Sequence, residues 1–394
     1  MPSNRRPSSP WVTLSVVFFA SVAAPLNQFK VPPIMPILME VFSLPPGKAG
    51  LLMSVFAITG LALALPAGFI FRRLDYRVTG AIALLSITVG AGIGALSRNV
   101  ETMLFSRFIE GAGLSLIYIV APAVIAVTFE PAKRGRAMGI WSAWFPLGQL
   151  VGYIVVPQIA SSWGWRSAWW FGCLYAGLTG VLFYLFVRPP SQKVDSGASH
   201  GFALSDMRQL LSNRDLWLLS LIFCCFNFAF ISFRTWMPTF LYTTRGLSLV
   251  YASLLIGLMS PFAVIASPLS GWISDKIGSR KLICVLPLMA SMIMFPLSPA
   301  VSTSLLVPWM VVLGLISGAT PTGVILATTE LVTDARFSGM ALAVMQLGQH
   351  VGTLLGPATV GWTIGLTENW QAGFWTLGPV CAIGVATAWM TRVK

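Results

Sequence analysis

The chain has 394 residues, of which 56% are hydrophobic and only 9% are charged. A soluble domain carries roughly 25% charged residues, so this composition excludes an ordinary soluble protein and indicates a chain that faces lipid. The net charge of +13 does not indicate nucleic acid as a partner, because the basic residues form short clusters between apolar runs and no nucleic-acid-binding motif occurs.

Twelve apolar runs are long enough to cross the hydrocarbon core of a bilayer, which takes about 20 residues of helix. Helices are required because lipid offers the polar backbone no hydrogen-bond partner. The first run continues to about Met39 without a small-residue cleavage site, which favours a membrane span over a signal peptide. The predicted spans cover residues 13–39, 49–71, 78–97, 102–128, 137–160, 167–187, 216–242, 250–273, 282–299, 304–328, 338–362 and 372–391.

The polar stretch 188–215 is the one long connection in the sequence. Its prolines, serines and charges predict a cytoplasmic linker between an N-terminal six-helix bundle in residues 1–187 and a C-terminal one in residues 216–394. A repeat at a spacing of 200 residues supports two related halves, an arrangement typical of transporters with a substrate site between them. Its first copy holds Glu130, Gly139, Gly148, Gln149, Val151, Gly152 and Pro157, and its second holds Glu330, Gly339, Gly348, Gln349, Val351, Gly352 and Pro357.

Most basic residues fall in the terminal segments and in the loops that follow even-numbered spans. The opposite loops contain only Lys48, Arg98, Arg166 and Arg245. Since cytoplasmic loops carry the excess of Lys and Arg, this bias predicts a multi-pass protein of the cell (inner) membrane with both termini in the cytoplasm.

The loop Gly271-Trp-Ile-Ser-Asp275-Lys-Ile-Gly278-Ser-Arg280-Lys281 resembles the signature loop of the major facilitator superfamily, G-x-x-x-D-[RK]-x-G-[RK]-[RK]. The resemblance implies an all-α membrane protein of twelve transmembrane helices in two pseudo-symmetric six-helix bundles, generally monomeric. It also implies a cytoplasmic gate in which Asp275 faces a helix N-terminus and Arg280 pairs with an acid, for which Glu330 is the candidate.

The corresponding loop of the first half departs from this pattern, because Arg72 stands where the family has an acid. Asp75 is a shifted substitute, and Glu130 is the counterpart of Glu330, so both join the predicted gating residues. The alternative is that these charges only set the topology.

Two further segments are similar to family motifs. Arg107-Phe-Ile-Glu110-Gly111 in span 4 resembles the R-x-x-x-G motif. The sequence of residues 27–36, NQFKVPPIMP, resembles that of the cyanate and 2-nitroimidazole permease branch. This resemblance implies uptake or exchange of small, often anionic, organic molecules. A glycine motif that is associated with exporters is interrupted in span 5 by Val156 and Ala160.

Three cations, Lys30, Arg107 and Arg234, fall inside predicted spans at a similar depth, with Glu110 as the one acid. A basic residue at the centre of a span costs about 2.5–3.5 kcal/mol on insertion scales, so these side chains should face water or a partner. The surplus predicts a small anionic substrate, with Arg234 as its first anchor. The alternative is that Arg107 and Glu110 neutralise each other while Lys30 reaches the interface, which leaves Arg234 alone.

Polar and aromatic residues complete the predicted substrate site, although each is also compatible with packing. Lys30 is the second candidate anchor. Asn27 lies on the same helix face as Lys30, and Asn227 lies on the same face as Arg234. Gln346, Gln349 and His350 form one stripe on span 11. The candidate aromatic walls are Tyr118, Trp141 and Trp144.

The predicted function is secondary active transport of a small organic anion by alternating access, by exchange or with proton coupling through Glu110. The alternatives are a proton-driven exporter of drugs or metabolites and a non-transporting receptor on the same scaffold. No nucleophile, metal set or phosphate-binding loop appears, so we predict neither an enzyme nor a cofactor or metal site.

Overall fold

The computed structural model describes residues 9–63, 75–187, 211–332 and 335–392, and the side chains of residues 335–338 are outside this description. Every regular element in these ranges is helical. Most of the predicted linker, residues 188–210, lies outside the described residues, as does Arg72 of the first-half loop.

Eleven helices in the described ranges are long and apolar enough to cross a membrane. In chain order they are α1 (Pro10–Val41), α2 (Pro46–Leu63), α3 (Tyr76–Leu96), α4 (Val100–Thr128), α5 (Pro131–Trp163), α6 (Trp165–Phe186), α7 (Arg214–Thr243), α8 (Leu249–Ile277), α9 (Arg280–Ala300), α10 (Thr303–Leu331) and, after α11, α12 (Trp370–Met390). Helix α11 is Ala335–Thr367, with 33 residues.

Helix α11 is long enough to span a bilayer, because 33 residues at about 1.5 Å each reach roughly 50 Å. Its polar stripe of Gln346, Gln349 and His350 makes it less apolar than the other eleven. The predicted all-helical fold is confirmed, and α11 takes the position of the eleventh predicted span.

Several of these spans are interrupted where prolines remove backbone donors or where a turn tightens. Helix α1 runs from Pro10–Phe29, passes through a 3₁₀ turn at Pro32–Ile34 and resumes at Met35–Val41. Four other spans consist of two α-helical segments each, broken at residues 55, 143, 258 and 376. The interruption of α1 follows Lys30 directly, in a stretch where residues 27–35 are all buried.

Helix ends follow ordinary capping chemistry. The side chains of Asn99, Ser248 and Ser279 accept hydrogen bonds from the backbone amides of the first turns of α4, α8 and α9. Helix α8 ends at Ile277, and the following residue, Gly278, has a φ of +72°, a left-handed conformation that glycine adopts without strain. These signals fix where the spans begin and end at the loop between α8 and α9.

The helices pack as two groups of six with the same internal pattern. In the first half α3 packs on α4 and α6, while α1 packs on α5 and α6. The second half repeats this pattern six helices later, with α9 on α10 and α12 and α7 on α11 and α12. The packing therefore has the pseudo-symmetry that the sequence repeat predicts.

The two halves meet where α1 packs on α7 and α8, where α2 packs on α11 and where α5 packs on α8. Helices α2 and α11 come very close together at one end of the bundle, the end that holds the α1–α2 loop. Their backbones approach so closely there that only glycine fits. A Cβ atom on Gly50 would lie 2.4 Å from the carbonyl oxygen of Pro357, and one on Gly361 would lie 2.4 Å from that of Pro46. We call these contacts the α2–α11 seam.

The opposite end of the bundle, where the described chain begins and ends, is less tightly packed. In the first segment of α5, Pro131–Ser142, Ala137 is the one buried residue. By contrast, residues 229–241 of α7 are all buried. The structure thus represents a conformation in which the halves are closed at the end of the α1–α2 loop.

Candidate substrate site

Arg234 lies at the contact between the two halves and has no exposed surface. Its Nη1 donates to Oε1 of Gln149 on α5 at 2.7 Å and to Oγ of Ser260 on α8 at 3.1 Å. The guanidinium carbon lies 4.6 Å from the ring centre of Phe230, one turn earlier on α7. The hydroxyl of Tyr153 donates to the Arg234 carbonyl oxygen at 2.8 Å. The first half therefore holds both the backbone and the side chain of this arginine.

The rest of the Arg234 side chain has no protein partner among the described residues. Its Nε and Nη2 are buried without a hydrogen-bond acceptor, and so is the Nε2 donor of Gln149 beside it. None of the ion pairs that the described residues form includes Arg234. Buried donors are nearly always paired, and a buried charge is costly without a counter-charge. This combination of unpaired donors and charge is suited to an anion.

Lys30, Arg107 and Glu110 form a separate charge cluster inside the first half. Lys30 Nζ donates to Oε1 of Glu110 at 2.7 Å and to Oδ1 of Asn27 at 2.8 Å. The other carboxylate oxygen of Glu110 accepts from Nη1 of Arg107. All three charged side chains have no exposed surface. The alternative interpretation of the sequence, in which the Lys30 side chain reaches the membrane interface, is therefore wrong.

The side chain of Arg107, on α4, is hydrogen-bonded to the backbone of two other helices. Its guanidinium donates to the backbone carbonyl oxygens of Asn27 at 2.7 Å, Gln28 at 3.0 Å and Leu52 at 3.0 Å, besides Glu110. These carbonyls belong to α1 and α2, next to the breaks in both helices. Arg107 is thus occupied in holding α1, α2 and α4 together.

The predicted single layer of three substrate-facing cations is corrected by these contacts. Two cations and one anion give the charge cluster a formal charge of +1, and Arg234 adds a second +1 at a different place. The net charge of these buried side chains is therefore +2, as the count of three cations and one acid predicts. However, among the fully buried cations of the described residues, Arg234 alone lacks a carboxylate partner.

Glu110 is poorly placed for the proton coupling that its position suggested. It accepts hydrogen bonds from both Lys30 and Arg107. Protonating it would leave two buried cations without a counter-charge, which is costly in a low-dielectric interior. The geometry assigns Glu110 to the stability of the charge cluster.

The two predicted asparagines are engaged in the fold. Asn27 accepts from Lys30 and donates to the carbonyl oxygens of Ala23 and Gly172, at 2.8 and 3.3 Å. Asn227 is buried and donates to Phe223 of its own helix at 2.8 Å. Asn27 thus positions Lys30, and the Asn227 donor is satisfied locally.

The polar stripe of α11 lies at the contact with the first half. The His350 ring packs against Gly60 of α2, where a Cβ atom would lie 2.3 Å from Cε1 of the ring. Gln349 lies against the Tyr118 hydroxyl of α4. Gln346 and Gln349 are partly exposed, whereas His350 is buried. These residues line the junction of the halves below the α2–α11 seam.

The predicted aromatic residues form one cluster. Trp141 stacks on Trp144 with ring centres 5.4 Å apart, and Trp144 meets Tyr118 edge to face at 5.1 Å. The Trp141 indole donates to Oγ of Ser21 at 3.0 Å. This cluster joins α4 and α5 to α1, and its Trp141 and Tyr118 edges are partly exposed.

Sequence reasoning missed four residues around Arg234, namely Gln149, Tyr153, Phe230 and Ser260. Gln149 carried a usable signal, since it is a polar residue inside a span and recurs as Gln349 in the repeat. The other three have side chains that are common in membrane helices for packing, so only the tertiary structure shows that they surround a cation.

The predicted gating residues of the second half come together in one group. Nη1 of Arg280 lies 2.5 Å from Oδ1 of Asp275, and its Nε and Nη2 donate to Oε1 of Glu330 at 2.9 and 2.7 Å. With Ser274 and Gly278 they line a cavity of about 210 Å³. Because all of them belong to α8, α9 and α10, this group ties the second half internally. The predicted pairing of Arg280 with Glu330 is present, and the gating role of this group stays a prediction.

The counterparts in the first half make weaker contacts. Asp75 precedes α3, and its side chain does not cap the helix. Glu130 pairs with Lys133 at 3.7 Å, with both side chains mostly exposed. Within the described residues neither forms an ion pair with the second half.

Comparisons with known proteins agree with this architecture. The family profile described as Major Facilitator Superfamily matches residues 17–337. The Cyanate transport protein CynX of Escherichia coli (strain K12) is 27% identical over 357 residues, covering 90% of each chain. The probable sulfoacetate transporter SauU of Cupriavidus necator is 24% identical over 370 residues, or 89% of this chain and 86% of that one. The hexuronate transporter of Bacillus subtilis is 21% identical over 379 residues, or 92% and 90%.

A solved structure shares the fold. It is a bacterial homologue of the human lysosomal transporter spinster in an inward-facing, unoccupied conformation, and its TM-score is 0.80. The match covers 98% of this chain and 93% of that one at 16% identity. The twelve helices, the repeat and the family match lead to one conclusion. The chain belongs to the Major Facilitator Superfamily and is a multi-pass membrane transporter rather than an enzyme.

Proposed function

We propose that this transporter carries a small organic anion across the membrane by alternating access, with Arg234 as the anchor. The observation that carries the proposal is the buried guanidinium with two unpartnered nitrogens and no acidic neighbour among the described residues. The names of three relatives, which refer to cyanate, sulfoacetate and hexuronate, support an anion.

The position of Arg234 fits an alternating-access cycle. It is held by Gln149 of the first half and Ser260 of the second half, so separating the halves must change its surroundings. In the present conformation the unpartnered nitrogens are sealed from solvent. An anion therefore reaches them when the halves part on one side, and the α2–α11 seam is the barrier on the other. We place the seam on the extracytoplasmic side of an inner membrane, with both termini in the cytoplasm.

The unpaired charge of Arg234 also favours exchange of one anion for another over net transport of a single anion. An empty carrier must change conformation with an unpaired buried cation, whereas the anion-loaded carrier moves as a neutral pair. Placing an unpaired arginine at mid-membrane costs about 2.5–3.5 kcal/mol, which corresponds to a factor on the order of 100 in rate or population. Glu110 is engaged with two cations, so we propose anion exchange by a monomeric carrier rather than proton coupling through this residue.

Thermal stability in detergent tests the anchor, since a ligand that binds the folded state raises its stability with occupancy. We expect small organic anions to raise the melting temperature of the wild-type protein, while chloride at equal ionic strength does not. Arg234→Gln should lose this response. Arg245→Lys is the control, because Arg245 is an exposed loop residue that donates to backbone carbonyls. An anion response that persists in R234Q would contradict the proposal.

A further inference from the structure

We infer that Gln149 is a second substrate ligand, contributed by the first half, and that the substrate is a monoanion with a flat pair of acceptor oxygens. This inference rests on the proposed function and adds a residue and a substrate class to it. It starts from three buried donors without partners, which are Nε and Nη2 of Arg234 and Nε2 of Gln149.

The free edge of Arg234 determines the shape of the ligand. Nη1 is occupied by Gln149 and Ser260, which leaves the edge formed by Nε and Nη2. The donors on this edge are parallel, and their spacing matches the two oxygens of a carboxylate. The chain uses the same edge elsewhere, because Nε and Nη2 of Arg280 both donate to one carboxylate oxygen, Oε1 of Glu330. A flat carboxylate-type group is therefore the partner that this edge fits.

Phe230 restricts the direction from which the anion binds. Its ring lies against the guanidinium at 4.6 Å, so one face of the cation is covered by an aromatic surface. Binding in the plane of the guanidinium avoids this ring and satisfies both free donors. The site thus favours an anion that approaches in the plane of the guanidinium and presents two oxygens side by side.

Gln149 supplies the next donor. Its Oε1 accepts from Nη1 of Arg234, which places the amide group beside the guanidinium and leaves Nε2 as a buried donor. The α5 backbone is held at this point because Gly148 and Gly152 pack directly on Pro25 and Phe29 of α1. Gln149 is consequently fixed toward the other half, and an anion in contact with both side chains bridges the two halves.

The charge count sets the valence of the substrate. Lys30 and Arg107 share Glu110, so Arg234 is the one fully buried cation of the described residues that is free for an external charge. A monoanion neutralises Arg234 where it binds, whereas the second charge of a dianion would have no cation beside it, because the remaining +1 lies at the separate charge cluster inside the first half. We therefore expect monocarboxylates to bind more tightly than dicarboxylates of similar size.

The test compares Gln149→Glu and Gln149→Ala with the wild type, using acetate, glucuronate, malonate and sulfate as probes. Q149E keeps the oxygen that holds Arg234 but places a resident carboxylate beside it. Its melting temperature without added anion should be at least that of the wild type, and the response to monocarboxylates should disappear. Q149A should raise the Kd for the best monocarboxylate about tenfold or more, since a hydrogen bond to a charged group is removed.

Gln158→Glu is the matched control, because Gln158 lies on the same helix but is exposed and donates to Ile154 of its own backbone. It should keep the wild-type response. If R234Q loses the response while Q149E and Q149A keep it, this inference is wrong and the proposed function stands. If the wild type responds equally to malonate or sulfate, the monoanion assignment is wrong. If it responds to no organic anion, the proposed function fails and the inference fails with it.

Discussion

Replacing Glu110 with glutamine tests whether the charge cluster is a structural element. The substitution keeps the size of the side chain but removes the one carboxylate that Lys30 and Arg107 share. Breaking a buried ion pair by removing one partner costs about 3–5 kcal/mol, because the remaining charge is left uncompensated. Here two cations would remain in a fully buried site, so we expect a loss at the upper part of this range.

The double variant separates charge from packing. Lys30→Met in the background of Glu110→Gln removes one of the two uncompensated cations and retains an apolar side chain of similar length. Arg107 keeps its bonds to the carbonyls of Asn27, Gln28 and Leu52. The double variant should therefore be more stable than E110Q alone, by about 1–3 kcal/mol from the coupling of contacting residues.

Thermal unfolding in detergent, followed by tryptophan fluorescence, measures these differences. Exchange of anions in proteoliposomes is measured on the same preparations under equal and opposed pH gradients. If E110Q is as stable as the wild type but loses a response to the pH gradient, Glu110 is a proton carrier and the structural role assigned to it is wrong.

Three further substitutions test other parts of the structure. Gly361→Leu should prevent closure of the α2–α11 seam, because even a Cβ atom there would lie 2.4 Å from the Pro46 oxygen. Labelling of a cysteine that replaces the fully buried Ser54, one turn from Gly50, should then increase, and unchanged labelling would contradict the seam as a gate. Tyr153→Phe removes the hydrogen bond to the Arg234 carbonyl and should shift the equilibrium toward the open seam by about 1 kcal/mol. The expected result is faster labelling of the same cysteine. An unchanged labelling rate would show that this bond does not hold the two halves together. Arg280→Ala should reduce the free energy of unfolding by no more than about 1 kcal/mol, because Asp275 and Glu330 are half exposed or more. Anion binding should remain intact. A loss of binding would mean that the Arg280 ion pairs act across the two halves.

The sequence predicts the fold well because membrane spans have a strong local signal. Apolar runs of about 20 residues determine the helices, and the repeat of Gly148 and Gly152 as Gly348 and Gly352 predicts the two-fold pattern. Even α11, the least apolar of the twelve helices, contains the predicted apolar run 338–362, and Gly348 and Gly352 place it in the repeat.

The site was predicted only in part, since contacts across helices are not encoded in spacing. Lys30 and Glu110 are 80 positions apart, and nothing in the sequence indicates that they meet. The sequence gives the number of buried charges and identifies Arg234 as a candidate. Its pairing with Gln149, 85 positions away, depends on how the two halves pack.

The most direct test of the central claim is anion counterflow in proteoliposomes with wild-type protein, Arg234→Gln and Arg245→Lys. Vesicles loaded with unlabelled monocarboxylate should take up the labelled compound rapidly when they contain the wild type or R245K. R234Q vesicles should show no more uptake than empty vesicles, because the one fully buried cation of the described residues without a carboxylate partner has been removed. Counterflow by R234Q at the wild-type rate would contradict the account, since the anion would then be bound elsewhere.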